Sequence, residues 1–200
     1  MRIIGVTGGV GSGKSAVLNY LEDHFDSRVV KADEVGHLLM MPGRACYEPV
    51  IELFGEWIVK EDTSLDRQAI ASIVFENPEM LKKLDDIIHP AVKKYILKEI
   101  EKSKKEETEF FFIESALLLE EKYDEICDEM WYIYCEKEVR IERLRHDRGY
   151  SDEKIHRMMA NQLPDEEFET RCDFQLYNDE DVAHTYLQIE RKMRTYYEFM

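Results

Sequence analysis

The chain has 200 residues, 44% of them hydrophobic, and a formal net charge of −16, which suits one globular domain. The negative charge argues against nucleic acid as a general partner, and no apolar run is long enough to cross a membrane or to form a signal peptide before the first strand. The four cysteines are scattered without a C-x-x-C pair, so we expect reduced thiols of a cytoplasmic protein rather than zinc ligands or disulfides.

The first element is a phosphate-binding motif between a predicted strand and a predicted helix. Residues 8–15 read Gly-Gly-Val-Gly-Ser-Gly-Lys-Ser and fit the P-loop pattern G-x-x-x-x-G-K-[ST]. Residues 1–7 are typical of a buried parallel strand, and apolar residues recur at helical spacing after Lys14. The alternative is a glycine-rich turn that only packs a strand against a helix. The G-K-S ending and both flanks favour a nucleotide site.

Each residue type in the motif suits a bound nucleoside triphosphate. Glycines let successive backbone N–H groups converge on an anion, together with the helix N-terminus. Lys14 is expected to reach the β- and γ-phosphates, and the Ser15 hydroxyl to ligate Mg²⁺. The residues that we predict to bind ATP are Gly8, Gly9, Gly11, Ser12, Gly13, Lys14, Ser15 and Ala16.

Two further predicted strands end in a carboxylate. Residues 28–33 form a short strand that ends at Asp33, and residues 110–114 form an apolar strand that ends at Glu114. Because ligands gather at the carboxyl ends of parallel strands, Asp33 can accept a proton from an attacking hydroxyl or help to hold Mg²⁺, and Glu114 can face Mg²⁺. The alternatives are a helix N-cap for Asp33 and a buried acid that pairs with a lysine for Glu114.

A long helical segment lies between the second and third predicted strands. Residues 66–102 have helical periodicity, which His89-Pro90 interrupts. Since proline suits only the first turn of a helix, we expect one helix to end near His89 and another to begin there. The segment is large enough for a substrate-binding side domain. His89 alone is more typical of a structural hydrogen bond than of catalysis.

A basic cluster before Gly149 departs from the acidic character of the chain. In a phosphoryl-transfer enzyme such arginines close over the triphosphate and neutralise charge, and Arg140 and Arg143 share a helix face. The alternative is a solvated amphipathic helix that pairs with its own glutamates. The cluster consists of Lys137, Arg140, Arg143, Arg145 and Arg148.

The remaining strands are predicted at residues 130–135 and 174–177, and a terminal helix over residues 179–200 with Leu187 and Met193 facing inward. The repeated strand–helix order predicts a parallel sheet of about five strands, covered by helices on both faces. We divide the chain into a core of residues 1–59, 105–136 and 163–200, a helical insert of residues 60–104, and a lid of residues 137–162.

Together these blocks resemble the dephospho-coenzyme A kinase family, P-loop kinases of the nucleoside-monophosphate-kinase type with a three-layer P-loop NTPase fold. The resemblance covers nearly the whole chain. It rests on residues 7–15, Ala32-Asp33, Met41-Pro42-Gly43, Phe54-Gly55, residues 87–90, Leu117-Leu118 with Glu120, residues 143–148 and 157–162, and Cys172-Asp173-Phe174 leading to Asn178.

The resemblance implies transfer of the γ-phosphate of ATP, with Mg²⁺, to the ribose 3′-hydroxyl of dephospho-CoA, the last step of CoA synthesis. It implies that Asp33 is the general base, that the insert binds CoA and that the arginine stretch is the lid. The implied catalytic residues are Asp33, Lys14, Arg140 and Arg143. The implied acceptor-binding residues are Asp33, His89, Leu117 and Leu118, and the implied metal ligands are Ser15 and Glu114.

The chain departs from the family pattern at a few positions. Lys31 replaces an acid before Ala32-Asp33, Ala16 replaces a threonine after Ser15, and residues 114–118 and 178–180 are also altered. Lys31 is expected to be able to pair with Asp33 or Glu114 and lower its basicity. Two alternatives stay open, a related kinase of a nucleoside or nucleotide and a non-catalytic nucleotide-binding module.

Overall fold

A five-stranded sheet with the order β2-β3-β1-β4-β5 organises the fold. The computed structural model describes residues 1–198, and the pairs β1–β3, β1–β4 and β4–β5 are parallel. The predicted parallel sheet is therefore confirmed, and the strand ends lie within one residue of those expected except in the second strand. That strand ends at Lys31 rather than at Asp33, because Ala32 and Asp33 already belong to the helix that follows it. The strands are β1 Arg2–Thr7, β2 Ser27–Lys31, β3 Phe110–Glu114, β4 Glu129–Tyr134 and β5 Phe174–Tyr177.

Helices connect these strands. In the described residues they are α1 Lys14–His24, α2 Ala32–Leu39, α3 Tyr47–Phe54, α4 Arg67–Glu76, α5 Pro78–Lys105, α6 Lys137–Arg148, α7 Asp152–Ala160, α8 Asp165–Arg171 and α9 Val182–Glu198. Short 3-10 turns occur at Glu56–Ile58 and Tyr123–Glu125. Within residues 1–198, no helix combines the length and the apolar character that a membrane span requires.

The chain divides into two compact units. The first comprises residues 1–29 together with the chain from residue 106 onward, and the second comprises residues 30–105. In the second unit, α5 packs against α2, α3 and α4.

The core of the first unit lies between the sheet and the helices α1 and α9. Side chains alternate along a strand, so Ile4 and Val6 of β1 point to one face, where they meet Phe110 and Phe112 of β3. Burial of each such side chain contributes about 1.5–3 kcal/mol. The helices complete the cluster with Val17, Leu18 and Leu21 from α1 and Ile189, Met193 and Tyr196 from α9.

The register brings the carboxyl ends of four strands to one edge of the sheet. Val6 lies beside Glu114, Thr7 beside Tyr132, and Tyr134 beside Tyr177. The segments that follow β1, β3, β4 and β5 therefore leave the sheet at the same edge, which is where parallel sheets bind ligands.

Helix α5 corrects the expectation that a helix ends near His89. It runs without interruption from Pro78 to Lys105, with Pro90 inside it. A proline inside a helix costs about 3 kcal/mol through a lost hydrogen bond and a clash. Buried residues on both sides of the proline, Leu84 before it and Val92 after it, favour one continuous helix.

Helix α9 corrects one inward-facing residue. Met193 is fully buried as expected, but Leu187 is 47% exposed. The buried positions are Thr185, Ile189, Met193 and Tyr196, a helical stripe that leaves Leu187 on the opposite side. The last two residues of the predicted terminal helix, 199 and 200, lie outside the described residues.

Candidate active site

The loop between β1 and α1 requires glycine where it curls. Gly13 has φ of +87°, and a Cβ atom there would lie 2.2 Å from Nδ2 of Asn178. A Cβ atom on Gly9 would lie 1.7 Å from Nη1 of Arg140. A larger residue is therefore strained at Gly13 by the backbone conformation, whereas at Gly9 it would require the Arg140 guanidinium to move.

The N-terminus of α1 is open to an anion. Its N-cap residue Gly13 makes no side-chain cap bond, and the first turn contains no acidic residue. By contrast, the side chains of Asp66 and Ser151 cap α4 and α7, and the helices α2, α3, α6 and α8, which also lack a side-chain cap bond, each have an acidic residue in the first turn. The Ser12 hydroxyl in the loop is buried and has no hydrogen-bond partner in the described part of the chain. An uncapped helix end with a partial positive charge suits a phosphate group.

Lys14 and Glu114 lie together beside this loop. The Lys14 ammonium donates to the carbonyl of Gly8 at 2.7 Å and lies 3.9 Å from Oε1 of Glu114. Both side chains are largely buried, at 13% and 14% exposure. The pairing of Glu114 with a lysine is therefore present, and it places a cation and a carboxylate where phosphates and Mg²⁺ would sit together.

Distant side chains hold the loop in shape. The Val10 backbone N–H donates to Oε1 of Gln162 at 2.8 Å, and Nδ2 of Asn178 donates to the carbonyl of Ser12 at 2.7 Å. The Thr185 hydroxyl in turn donates to Oδ1 of Asn178 at 2.7 Å. Of these, the sequence pointed to Gln162 and Asn178 only as parts of family-like segments, and it gave no signal for Thr185.

Arg140 supports the loop from α6. It is 7% exposed, and its Nη2 lies 3.0 Å from Oδ2 of Asp165. The Tyr132 hydroxyl donates to the same carboxylate at 2.8 Å, and burial, followed by this contact, raises the pKa of Tyr132. The catalytic assignment of Arg140 stays a prediction. Its guanidinium pairs with Asp165 and lies close to Gly9 of the loop.

Arg143 reaches the loop one turn later on α6. Its Nη1 donates to the Cys135 thiol at 3.4 Å and lies 3.5 Å from the Cβ position of Gly13. Burial raises the pKa of the Cys135 thiol, against the lowering effect of the Arg143 guanidinium. In the described residues no carboxylate forms a salt bridge with this guanidinium, so its charge remains available at the phosphate-binding loop.

A family model described as Dephospho-CoA kinase matches residues 2–184. The chain belongs to the dephospho-CoA kinase family.

Curated relatives of the chain carry the name dephospho-CoA kinase. The protein of Symbiobacterium thermophilum is 34% identical over 97% of this chain and 81% of its own length. The protein of Carboxydothermus hydrogenoformans is 36% identical over 94% of this chain and 91% of its own length. The chain is therefore a member of a kinase family, with ATP as the implied phosphate donor.

Solved structures agree with the P-loop fold. A Thermus thermophilus protein matches with a TM-score of 0.83 and 28% identity, covering 97% of both chains. The dephospho-CoA kinase of Campylobacter jejuni matches with a TM-score of 0.71 and 24% identity, covering 97% of this chain and 96% of its own. Shikimate kinase from Acinetobacter baumannii, at 10% identity and a TM-score of 0.60, shares the fold.

The second unit contains Asp33, the residue that resemblance to dephospho-CoA kinases assigns as the general base. It is exposed and lies in the first turn of α2, whose N-cap position is Lys31 without a side-chain cap bond. The N-cap alternative for Asp33 is therefore wrong. Lys31 forms its ion pair with Glu34 at 3.2 Å rather than with Asp33. Lys31 and Glu34 are three residues apart across the start of α2, a spacing that brings side chains together, whereas residues two apart, such as Lys31 and Asp33, do not face each other on a helix.

The predicted acceptor-binding residues differ in accessibility. His89 of α5 is 28% exposed, and its Nε2 lies 3.5 Å from Oδ1 of Asp85, one turn earlier. Leu117 is 41% exposed, whereas Leu118 is fully buried. Both leucines lie in a tight turn after β3. Of the two leucines, only Leu117 reaches solvent.

The residues present fit a magnesium ion that arrives with a triphosphate. Within residues 1–198, no cluster of three His, Cys, Asp or Glu side chains could hold a metal ion alone. Mg²⁺ at nucleotide sites usually takes one or two protein ligands, with phosphates and waters completing the octahedron. The Glu114 carboxylate at the end of β3 and the Ser15 hydroxyl in the first turn of α1 match that need.

Proposed function

We propose that this chain transfers the γ-phosphate of ATP to the ribose 3′-hydroxyl of dephospho-CoA, giving CoA and ADP. The observation that carries the proposal is the uncapped N-terminus of α1 with Lys14 beside it, in a chain of the dephospho-CoA kinase family. The acceptor comes from the names of the relatives, and the donor site comes from the geometry of the loop.

In the proposed reaction, the 3′-oxygen forms a bond to the γ-phosphorus while the bond to the β,γ-bridging oxygen breaks. Asp33 takes the hydroxyl proton. Lys14 and Arg143 neutralise charge on the phosphoryl group, and backbone N–H groups of residues 8–13 hold the phosphates, apart from those of Val10 and Ser12, which bond within the protein. Ser15 and Glu114 would hold Mg²⁺, which supplies charge neutralisation. Such catalysis is mainly positioning and electrostatics.

We propose that residues 60–104, including His89, contribute to acceptor binding. We propose that Leu117 and Leu118 also contribute to it. The second compact unit provides a separately packed helical scaffold for such a site. We also propose a cytoplasmic location without nucleic-acid partners, which the net charge of −16 and the free thiols of Cys46, Cys127, Cys135 and Cys172 support.

A coupled ADP-release assay with Mg-ATP, with and without dephospho-CoA, tests the function. We expect turnover that depends on the acceptor and yields CoA, identified by mass. Turnover on another nucleoside or nucleotide, with none on dephospho-CoA, would reject the proposed acceptor. Tight ATP binding with no transfer to any acceptor would indicate a nucleotide-binding module instead.

We propose that residues 137–162 act as a lid. Arg140 and Leu144 of α6 are buried, whereas Arg145 and Arg148 are exposed. The residues after Leu144 are therefore less restrained by packing and freer to move over bound ligands. Amide hydrogen exchange is expected to slow after Leu144 when ATP and dephospho-CoA are bound together. Exchange that is the same with and without both ligands would contradict a lid.

The two arginines of α6 are expected to separate stability from catalysis. Arg140→Met should lower the free energy of unfolding by about 1–3 kcal/mol, because Asp165 loses its buried partner but keeps solvent contact. Arg143→Met should leave stability nearly unchanged and lower kcat by roughly 10²-fold, because a phosphate-facing charge is lost. Urea unfolding and steady-state kinetics on both variants measure this. Equal changes in the free energy of unfolding for the two substitutions would contradict the expected difference between Arg140 and Arg143.

A further inference from the structure

Arg143 meets the phosphate-binding loop with a thiol as its hydrogen-bond partner. Its Nη1 donates to Sγ of Cys135 at 3.4 Å and lies 3.5 Å from the Cβ position of Gly13. The arginine is half-buried in α6. Within residues 1–198, its guanidinium has neither an ion pair with a carboxylate nor a second hydrogen bond. The Cys135 thiol is therefore the contact that gives this guanidinium a direction.

Cys135 is a fixed point at the carboxyl edge of the sheet. It directly follows β4, which pairs with β1 on one side and with β5 on the other. Its side chain is 1% exposed, whereas Arg143 lies eight residues later on a helix. A long arginine side chain has many rotamers, so a bond to a rigid neighbour favours one of its directions over the others. A thiol held by the sheet can thus direct a guanidinium that comes from a separate helix.

The chemistry of a thiol leaves the charge of the arginine available. Burial above all raises the pKa of Cys135, against the Arg143 guanidinium, which lowers it. The thiol is therefore protonated at neutral pH. A protonated thiol is a weak hydrogen-bond acceptor and carries no counter-charge.

Other arginines of residues 137–162 have partners of a different kind. A carboxylate neutralises a guanidinium and competes with phosphate for its N–H groups, since both ligands match the same fork. A thiol does neither, so its contact holds Arg143 in place while the positive charge stays free for an anion. The carboxylate pairs are Arg140 with Asp165, Arg145 with Asp152 and Arg157 with Glu153.

We propose that Cys135 is a positioning residue, which directs the Arg143 guanidinium toward the transferred phosphoryl group and leaves its charge to the phosphate oxygens. The proposal rests on the proposed function, since it takes Arg143 as a group that neutralises this charge. Cys135 acts through the arginine and needs no contact of its own with ATP or with the acceptor.

Steady-state kinetics of cysteine variants tests the proposal. Cys135→Ala removes the acceptor and should lower kcat about 3- to 10-fold, the size expected for one neutral hydrogen bond, whereas Cys135→Ser keeps an acceptor of similar size and should stay within about 2-fold of the wild type. Cys172→Ala is the control. It removes a half-buried thiol before the amino end of β5 and should have wild-type kinetics.

The double variant of Arg143→Met and Cys135→Ala separates positioning from packing. Once the guanidinium is absent, loss of the thiol should lower kcat no further. A thiol that only packs would lower kcat by the same factor with and without Arg143. That result, or an unchanged kcat in Cys135→Ala, would overturn the proposal. Thermal unfolding checks that each variant is folded, and Cys135→Val, which fills the space without an acceptor, should repeat the result of Cys135→Ala.

A binding measurement separates this inference from the proposed function. The calorimetric Kd of Mg-ATP should rise about 2- to 5-fold in Cys135→Ala, but should not rise further when Arg143 is already methionine. Wild-type protein that binds ATP and transfers phosphate to no acceptor would reject the function, and the Kd comparison would still decide the role of Cys135. An unchanged Kd in Cys135→Ala of such a protein would overturn the positioning role.

Discussion

Replacement of Lys14 by alanine is expected to lower kcat/KM for ATP by about 10²–10³-fold or more. The ammonium lies beside the carbonyls of Gly8 and Gly9 and the Glu114 carboxylate, at the open N-terminus of α1. It is thus placed to bind phosphate in the ground state and to stabilise the charge of the transferring group. KM for ATP should rise and kcat should fall together.

A matched substitution on the surface distinguishes this effect from a general loss of charge. Lys105→Ala removes an exposed lysine at the end of α5, outside the proposed acceptor-binding residues 60–104, and should leave both kinetic constants unchanged. The assay measures the rate of ADP release by both variants as the Mg-ATP concentration is raised to saturation. A Lys14→Ala enzyme with wild-type kcat would exclude the lysine from transition-state stabilisation.

The Asp33→Asn substitution is expected to lower kcat by about 10²–10⁴-fold while the Kd of ATP stays nearly unchanged. The amide has almost the same shape as the carboxylate but cannot accept the hydroxyl proton. Asp33 is exposed and does not cap α2, so little stability depends on its charge. Single-turnover kinetics with saturating ligands isolates the chemical step from binding.

Asp23→Asn supplies the control, because it makes the same chemical change at an exposed position near the end of α1, outside the proposed acceptor-binding residues. It should have wild-type kinetics. If Asp33→Asn retained full activity, Asp33 would not be the base, and Glu114 would become the carboxylate to substitute next.

The sequence predicted the fold where the signals are local. The strand ending at Glu114 is a run of buried apolar residues, and the P-loop pattern determined where β1 ends and α1 begins. The alternation of strands with helices was enough for the parallel sheet. Composition, periodicity and turn residues act within a few positions of each other, so they can be read without knowing what packs where.

The errors arose where packing overrides a local rule. Pro90 signals a helix boundary, but α5 continues through it because apolar residues on both sides are buried. Leu187 is apolar and was expected to face inward, but Thr185 takes the buried place on α9 and donates a hydrogen bond to Asn178. Such outcomes depend on residues far apart in the chain.

In the candidate site, too, local motifs predicted some residues, whereas contacts between distant residues were not predicted. Lys14 and Glu114 were predicted from motifs, and the structure brings them together. The bond from Val10 to Gln162 joins residues 152 positions apart, and the pair Arg140–Asp165 joins different helices. No local pattern predicts these contacts, the first of which bonds the backbone of the P-loop.

The course of the chain has an evolutionary consequence. It leaves the first compact unit after Val29 and returns to it at Glu106, so residues 30–105 form one continuous segment. The P-loop, Glu114 and the α6 arginines all lie outside that segment. Recombination at only two breakpoints could therefore exchange the whole segment without interrupting the phosphate-binding elements. If residues 30–105 carry the acceptor site as proposed, such an exchange would change the acceptor while keeping the proposed donor site.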